Sequence, residues 1–172
     1  MTKYLSNEGC VILAVNAHLL PSKGEHFHDL TTRLNRAANV PVCDFAAELL
    51  DRQKLFDLIV TLKGHGSVKR VLLAGGYLED QISVLALHLL AEGYEITLLE
   101  EWLEPGQPAY GQTYKSRLIQ AGAVQSTLRQ MIYQWSVVAG DISVRDELVG
   151  LLNFIDSQMS DTTDGQVNKQ QI

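Results

Sequence analysis

The sequence predicts an α/β domain with a mostly parallel sheet, because short apolar runs alternate with longer segments of helical periodicity along most of the chain. Its 172 residues are enough for one domain with a complete core, and 46% of them are hydrophobic against 20% charged. We therefore expect a single domain of ordinary size, without internal repeats or an interdomain linker.

The charge balance and the length of the apolar runs exclude two classes of partner. Fourteen Lys and Arg stand against twenty Asp and Glu, so the chain lacks the basic surface that phosphate backbones or anionic lipids require. Its longest apolar stretches, such as residues 84–91, are far shorter than the roughly 20 residues of a membrane span. No secretory signal is readable, and the spacing of Cys10 and Cys43 fits neither a disulfide framework nor a zinc site. We expect a cytoplasmic protein that binds neither nucleic acid nor membrane.

The first third of the chain predicts two strands, each followed by a helix. Residues 10–16 form a continuous apolar run too short for a helix, which is typical of a central strand. Residues 27–38 then show helical spacing, and residues 40–45 predict a second strand that Pro41 confines to an edge or to its first residues. Residues 46–63 predict the second helix.

The middle of the chain holds the clearest unit. Residues 70–74 predict a strand, Gly75 and Gly76 a tight turn, residues 78–92 a helix and residues 94–99 the next strand. This succession is the βαβ crossover of a parallel sheet.

The last third predicts three helices and one short strand. The final helix, at about residues 142–159, carries an apolar stripe and has acidic residues in its first turn. The polar tail, residues 160–172, is expected to be disordered, so one domain would span residues 1–159. The other elements of this third are a helix at 113–121, a strand at 123–126 and a helix starting at 127.

Candidate ligand-binding residues lie where the strands end, because the crevice of an open α/β sheet lies beyond the carboxyl ends of its strands. The residues that follow the first and third strands are Asn16, His18, Gly75, Gly76, Tyr77, Glu79 and Gln81. The Gly75-Gly76 turn does not complete the G-x-G-x-x-G fingerprint of dinucleotide folds, since Tyr77 and Asp80 stand where its next glycines belong. We therefore expect a small-molecule ligand but no cofactor.

The histidines and cysteines offer weaker candidates. His26 and His28 fit a solvated surface pair better than a zinc site, and no metal is expected. Cys43, near the end of the second strand, is a candidate nucleophile, and the alternative is a small buried hydrophobe.

Three segments then carry a family resemblance. VLLAG at 71–75 and LAEGYEITLL at 90–99 resemble the signature of the isochorismatase-like cysteine hydrolases, in which a strand ending in Gly precedes the nucleophile helix. RLIQAGAVQST at 117–127 resembles the closing strand and helix of that family, and the likeness covers most of residues 10–135. The resemblance implies a three-layer α/β/α, Rossmann-like fold and an oligomer.

The same resemblance implies a catalytic cysteine, aspartate and lysine, and this sequence departs from all three. Gln81 takes the cysteine position and Asn16 the aspartate position. The strand that bears the lysine is missing after residue 45, with Lys54 or Lys63 as its possible displaced remnant.

Two functions from different classes follow from these departures. The first is a non-hydrolytic pseudoenzyme that binds a ligand or a partner protein through the old crevice. The alternative is a cysteine hydrolase of a small amide or vinyl ether, with Cys43 as a relocated nucleophile assisted by His18 or Glu79. The apolar stripe of the last helix, together with Trp135, Val137 and Val138, predicts a homo-oligomer, unless that stripe packs on its own sheet.

Overall fold

The computed structural model describes residues 7–16, 24–46 and 49–167, without the side chains of residues 24, 25, 79 and 159–167. Candidate residue His18 and the side chain of Glu79 therefore lie outside the described part of the chain.

Within these residues, five strands form one fully parallel sheet with the order β2-β1-β3-β4-β5. The strands are β1 (Cys10–Val15), β2 (Val42–Phe45), β3 (Arg70–Gly75), β4 (Glu95–Leu99) and β5 (Val124–Ser126). Every residue of β1 and β3 is buried, because helices cover both faces of a parallel sheet and its central strands meet no water. The predicted parallel sheet and the central position of its first strand are confirmed, and β2 is the edge strand that Pro41 predicted.

In the described part of the chain, six α-helices cover the sheet in two layers. They are α1 (Gly24–Ala38), α2 (Arg52–Gly64), α3 (Ser83–Ala91), α4 (Pro108–Gln120), α5 (Leu128–Val138) and α6 (Ile142–Val167). Alternate residues of β1 point to opposite faces, so Ile12 packs with α1, α5 and α6 while Leu13 packs with α2, α3 and α4. The fold is three-layer α/β/α, as the sequence predicted.

Two helices begin at residues that the sequence pattern did not indicate. α2 begins at Arg52 rather than near residue 46, because the side chain of Asp51 accepts a hydrogen bond from the backbone N–H of Lys54 at 2.8 Å and caps the helix. α4 begins at Pro108 rather than at residue 113. Gly111 weakens the helical signal there, but a Cβ at Gly111 would lie 2.8 Å from the Pro105 ring, so packing requires the glycine.

The apolar stripe of α6 packs within the chain. Leu148, Leu151 and Leu152 are buried in the same core as α1 and α5, and Trp135 is 1% exposed. The stripe therefore packs on its own sheet, which is the alternative to an oligomer surface, whereas Val137 and Val138 on α5 remain exposed.

α6 also runs past the expected end at Met159 and continues to Val167, since each added residue of an existing helix gains one backbone hydrogen bond. The expected tail of residues 160–172 thus overlaps the last turns of α6, and residues 168–172 lie outside the described part. The domain boundary at residue 159 stays a prediction.

The segment that connects β2 to α2 is short. Residue 46 and residues 49–51, which are the described residues between these elements, form no strand. This agrees with the expected loss of the strand that would carry a lysine. None of the helices in residues 24–38 and 52–167 is long and apolar enough to cross a membrane.

The end of β3 requires a glycine at position 75. Val15 and Gly75 are register partners in the pair β1–β3. A Cβ on Gly75 would lie 2.2 Å from the carbonyl oxygen of Val15, and the residue has a φ of +79°, a left-handed conformation that side chains with a Cβ rarely adopt. Gly75 therefore allows the two central strands to meet at the edge where the candidate site lies.

Gly75→Ala should destabilise the fold by more than about 2 kcal/mol, because the methyl group overlaps the Val15 carbonyl and the backbone conformation is unfavourable for alanine. Urea unfolding followed by circular dichroism measures the change. Gly150→Ala is the matched control: Gly150 lies in α6, and a Cβ added there would meet no neighbouring atom within 4 Å, so this change should be neutral or stabilise by up to about 1 kcal/mol. Equal stabilities for the two variants would contradict the argument.

Candidate functional site

The carboxyl ends of β1, β2 and β3 meet at one edge of the sheet. Val15 of β1 pairs with Phe45 of β2 and with Gly75 of β3. The next residue, Asn16, donates its backbone N–H to the carbonyl oxygen of Phe45 at 3.0 Å. The sheet therefore places Asn16 beside the turn that begins at Gly75, as the sequence predicted.

Asn16, the residue after β1, is buried and has a left-handed backbone conformation. It is 5% exposed and has a φ of +46°, which asparagine tolerates better than other side chains with a Cβ. Its carboxamide can donate and accept hydrogen bonds but does not titrate. The group at this position can therefore hold a neighbour or a ligand, and it cannot act as a general base.

A kinked helical turn, Leu78–Ile82, connects β3 to α3. Asp80 departs from helical geometry in this turn, with φ −102° and ψ −107°. The hydroxyl of Ser83 donates to the carbonyl oxygen of Leu78, and the N–H of Leu78 donates to the carbonyl oxygen of Glu104 at 3.2 Å. The prediction of a continuous helix over residues 78–92 is therefore wrong for its first turn, because these two hydrogen bonds hold the backbone of that turn in a kinked conformation.

Gln81 lies in this turn, half-buried and two residues before Ser83, the first residue of α3. Tyr77, at the start of the turn, is 42% exposed and forms a parallel bridge with Glu104. The structure therefore brings Asn16, the two glycines, Tyr77 and Gln81 to one end of the central strands. Asn16, the residue after β1, and Gln81, in the turn before α3, both carry neutral amide side chains.

Other residues at this edge form contacts that the sequence did not predict. Glu101 accepts a hydrogen bond from the backbone N–H of Leu128 at 2.5 Å and so binds the start of α5. Phe27 and Trp102 stack edge to face with centroids 4.9 Å apart, which joins α1 to the turn after β4. Ser83 could have been found as a polar residue at the start of an apolar helix, whereas the aromatic pair leaves no local signal.

Cys43 lies in the core on the α2 side of the sheet. It is 8% exposed, is the register partner of Leu13, and packs with Leu58, Ile59 and Leu62. Burial raises the pKa of the Cys43 thiol, and the charge of Asp44 raises it further. The thiolate is the nucleophilic form, so this environment disfavours the role of relocated nucleophile, which stays a prediction.

The two candidate lysines, Lys54 and Lys63, lie at opposite ends of α2. Lys54, in the first turn of α2, donates its Nζ to the carbonyl oxygen of Leu49 at 2.7 Å. Lys63 lies in the last turn of the same helix, about 14 Å further along its axis. Of the two, only Lys54 is near the candidate site.

Cys10 begins β1 at the opposite edge of the sheet. Its thiol lies 3.7 Å from the NH1 atom of Arg70, which itself pairs with Glu95 at 3.2 Å. Burial raises the pKa of the Cys10 thiol, and Arg70 partly opposes this effect.

The described residues contain no group of three or more His, Cys, Asp or Glu side chains that could hold a metal ion. His26 and His28 are exposed on α1.

Three solved structures share this fold over nearly the whole chain. YcaC from Pseudomonas aeruginosa, solved with hexane-2,5-diol and covalent acrylamide, has a TM-score of 0.71 and 14% identity, covering 95% of this chain and 98% of that one. The YcaC gene product of Escherichia coli, described as an octameric hydrolase of unknown specificity, has a TM-score of 0.69 and 15% identity, covering 93% and 96%. The MAR1 ribonuclease from Caenorhabditis elegans has a TM-score of 0.63 and 13% identity, covering 86% and 91%.

No protein-family model and no curated protein matches the sequence. At identities this low the likeness concerns the fold alone. The chain has a three-layer α/β/α fold of the isochorismatase-like type.

The native protein should resist thiol alkylation at both cysteines. Because the pKa of each thiol is raised, the thiolate fraction at neutral pH is smaller than in a peptide. The rate of alkylation should therefore continue to increase with pH even when the pH exceeds the pKa of an ordinary thiol. Iodoacetamide labelling with peptide mapping, from pH 7 upward, measures each site, and unfolded protein provides the fast control. Labelling of Cys43 at neutral pH faster than a cysteine peptide would restore it as a reactive nucleophile.

Proposed function

We propose that this chain is a divergent member of the isochorismatase-like hydrolase family that binds a small ligand or a partner protein without hydrolysing it. One observation carries the proposal: the end of β1 and the turn before α3 hold Asn16 and Gln81. These are the positions where the resembling family carries its aspartate and its cysteine. The scaffold of the site is kept, and the titratable groups are replaced.

The chemistry of the amide groups supports binding rather than catalysis. Covalent hydrolysis needs a nucleophile and a base that accepts its proton, and a carboxamide supplies neither. Each carboxamide offers two N–H donors and one carbonyl acceptor, which suit a ligand with carbonyl, amide or carboxylate groups. Asn16 is held by the β1–β2 edge, Gln81 is half-buried and Tyr77 is exposed beside them. A ligand would contact these side chains, Gly75 and Gly76, and the candidate positions His18 and Glu79.

The second candidate is a cysteine hydrolase of a small amide or vinyl ether, with Cys43 as nucleophile. Its support comes from the structural neighbours, since E. coli YcaC is described as a hydrolase and the P. aeruginosa structure carries covalent acrylamide. The buried position and raised pKa of Cys43 weigh against it.

We propose a homo-oligomer in the cytoplasm as the working form. E. coli YcaC is described as octameric, and this chain exposes large apolar side chains on α2, α5 and α6. Reduced thiols at Cys10 and Cys43 fit a reducing compartment.

The wild-type protein should show no hydrolysis of nicotinamide, isochorismate or simple amides, because its site lacks a nucleophile. Product formation measured by chromatography tests this. If the wild type turns over one of these substrates and Gln81→Ala abolishes that turnover, the proposal of a pseudoenzyme is wrong. Turnover that Cys43→Ala abolishes, and that Gln81→Ala leaves intact, would establish the alternative.

Gln81→Cys should create a reactive thiol. The position lies two residues before the start of α3, where the helix dipole stabilises a thiolate, and it is partly open to solvent. Acrylamide should therefore add to the introduced thiol faster than to Cys10 or Cys43, and mass spectrometry with peptide mapping gives the rates.

The matched control is Gln112→Cys, which places the same change on an exposed position inside α4. This thiol is accessible but is farther from a helix start. If Gln81→Cys reacts no faster than Gln112→Cys at pH 7, the turn before α3 does not retain an activating site.

A further inference from the structure

A cavity of about 550 Å³ opens at the amino edge of the sheet, away from the candidate site. Its wall contains Asn7 and Glu8, which precede β1, together with the end of α1 and the junction between α5 and α6. β1, from Cys10 to Val15, separates this edge from the candidate site by about 17 Å along its axis. Because volumes of this size are typical of small-molecule pockets, the cavity is large enough for a ligand of its own.

Hydrogen bonds within the chain hold the wall of this cavity in place. The side-chain amide of Asn7 donates to the carbonyl oxygen of Ala38 at 2.7 Å, and so joins the segment before β1 to the last residue of α1. The backbone N–H of Ser143 donates to Oδ1 of Asp141 at 2.8 Å, so Asp141 caps the start of α6. A ligand would therefore meet a preorganised surface, which lowers the entropy cost of binding.

Small and branched aliphatic side chains supply the apolar part of the wall. Val138 is 41% exposed, and Ala37, Ala139 and Val144 are half-buried around the same cavity. Burial of an apolar group against such side chains is favourable. This part of the wall can therefore accept a short aliphatic group.

Arg36 supplies a positive charge to the wall. It lies in the last turn of α1 and is exposed. In the described part of the chain, ion pairs join Arg33, Arg70 and Arg129 to carboxylates, and Arg36 takes part in none of them. A guanidinium group binds a carboxylate through two parallel hydrogen bonds. Arg36 is therefore suited to the carboxylate of a ligand.

The wall also carries negative charge. Glu8 and Asp141 line the cavity, and Asp141 can accept a further hydrogen bond while it caps α6, because an ionised carboxylate has two oxygens. α1 and α5 both end at the cavity, at Ala38 and Val138. The last carbonyl groups of a helix form the negative end of its dipole. These groups together favour an ammonium group.

We propose that this cavity is a binding site for a free α-amino acid with an aliphatic side chain. Arg36 holds the carboxylate, Glu8 and Asp141 hold the ammonium group, and the apolar part of the wall contacts the side chain. A ligand with a single charge would be repelled by the like charge of the wall, whereas an amino acid matches both signs. The site lies at the other edge of the sheet from the candidate site, so this proposal does not depend on the function proposed above.

Three probes of similar size separate the two charges. L-Leucine carries both charged groups, leucinol carries the ammonium group alone, and 4-methylpentanoate carries the carboxylate alone. Titrations of the full chain followed by ¹⁵N–¹H NMR give each Kd and locate each ligand. L-Leucine should bind about tenfold more tightly than either analogue, and it should shift the amide signals of Ala37, Ala139 and Gly140.

Two substitutions test the charges one at a time. Arg36→Gln should weaken the binding of L-leucine by about tenfold and leave that of leucinol unchanged, because leucinol has no carboxylate. Glu8→Gln should weaken L-leucine and leucinol by about threefold, since Asp141 remains, and leave 4-methylpentanoate no weaker. Both side chains are exposed, so the fold should be retained, which circular dichroism checks.

Gly140→Phe tests the location of the ligand. Gly140 lines the cavity, and a Cβ added there would meet no neighbouring atom within 4 Å, so a phenyl ring can occupy the cavity without displacing its wall. The binding of L-leucine should be lost. Gly150→Phe is the matched control: a Cβ added at Gly150 also meets nothing within 4 Å, but this residue does not line the cavity, and its variant should bind like the wild type.

Four results would overturn the proposal. L-Leucine at millimolar concentration could shift no amide signal, or either analogue could bind as tightly as L-leucine. Gly140→Phe could bind L-leucine as well as Gly150→Phe does. Shifts at Gly76 and Gln81 that Gln81→Ala removes would place the amino acid in the candidate site, which would reject this cavity and support the function proposed above.

Discussion

β1 and β3 pair along their whole length, from Cys10 opposite Arg70 to Val15 opposite Gly75, and every residue of both strands is buried. Both helical layers pack on this pair, one through Ile12 and the other through Leu13. The pairing also decides where the candidate site lies, because it places the end of β1 next to the turn that follows β3. Gly75 makes this contact possible, since a Cβ there would overlap the Val15 carbonyl.

The candidate site depends on that scaffold for its geometry and on two amide side chains for its chemistry. Asn16 is fixed by the backbone hydrogen bond to Phe45, and Gln81 stands in a turn that Ser83 and Glu104 hold away from helical geometry. A hydrolase needs groups that exchange protons at this place. Asn16 and Gln81 carry carboxamides, which form hydrogen bonds but do not exchange protons in this way.

Sequence reasoning succeeded where burial is continuous along the chain. The strands β1 and β3 are apolar at every position except Arg70 and Gly75, and Gly93 and Gly122 mark helix ends, so this part of the fold could be predicted. The sequence pattern predicted that α2 begins near residue 46, which is wrong. The helix begins at Arg52, because the side chain of Asp51 caps it there. The kink at Asp80 was missed because its causes, the contacts of Leu78 with Ser83 and Glu104, leave no periodic signal.

The sequence by itself determined the parallel α/β architecture and the identity of the residues at the strand ends, because hydrophobic periodicity and chain order are local properties. Only the tertiary structure decided which apolar surfaces stay exposed. The stripe of α6 is buried in its own chain, whereas Phe56 and Val60 on α2 remain open to solvent. An amphipathic pattern shows that a helix has an apolar side, but the packing of the other helices determines whether that side is already covered.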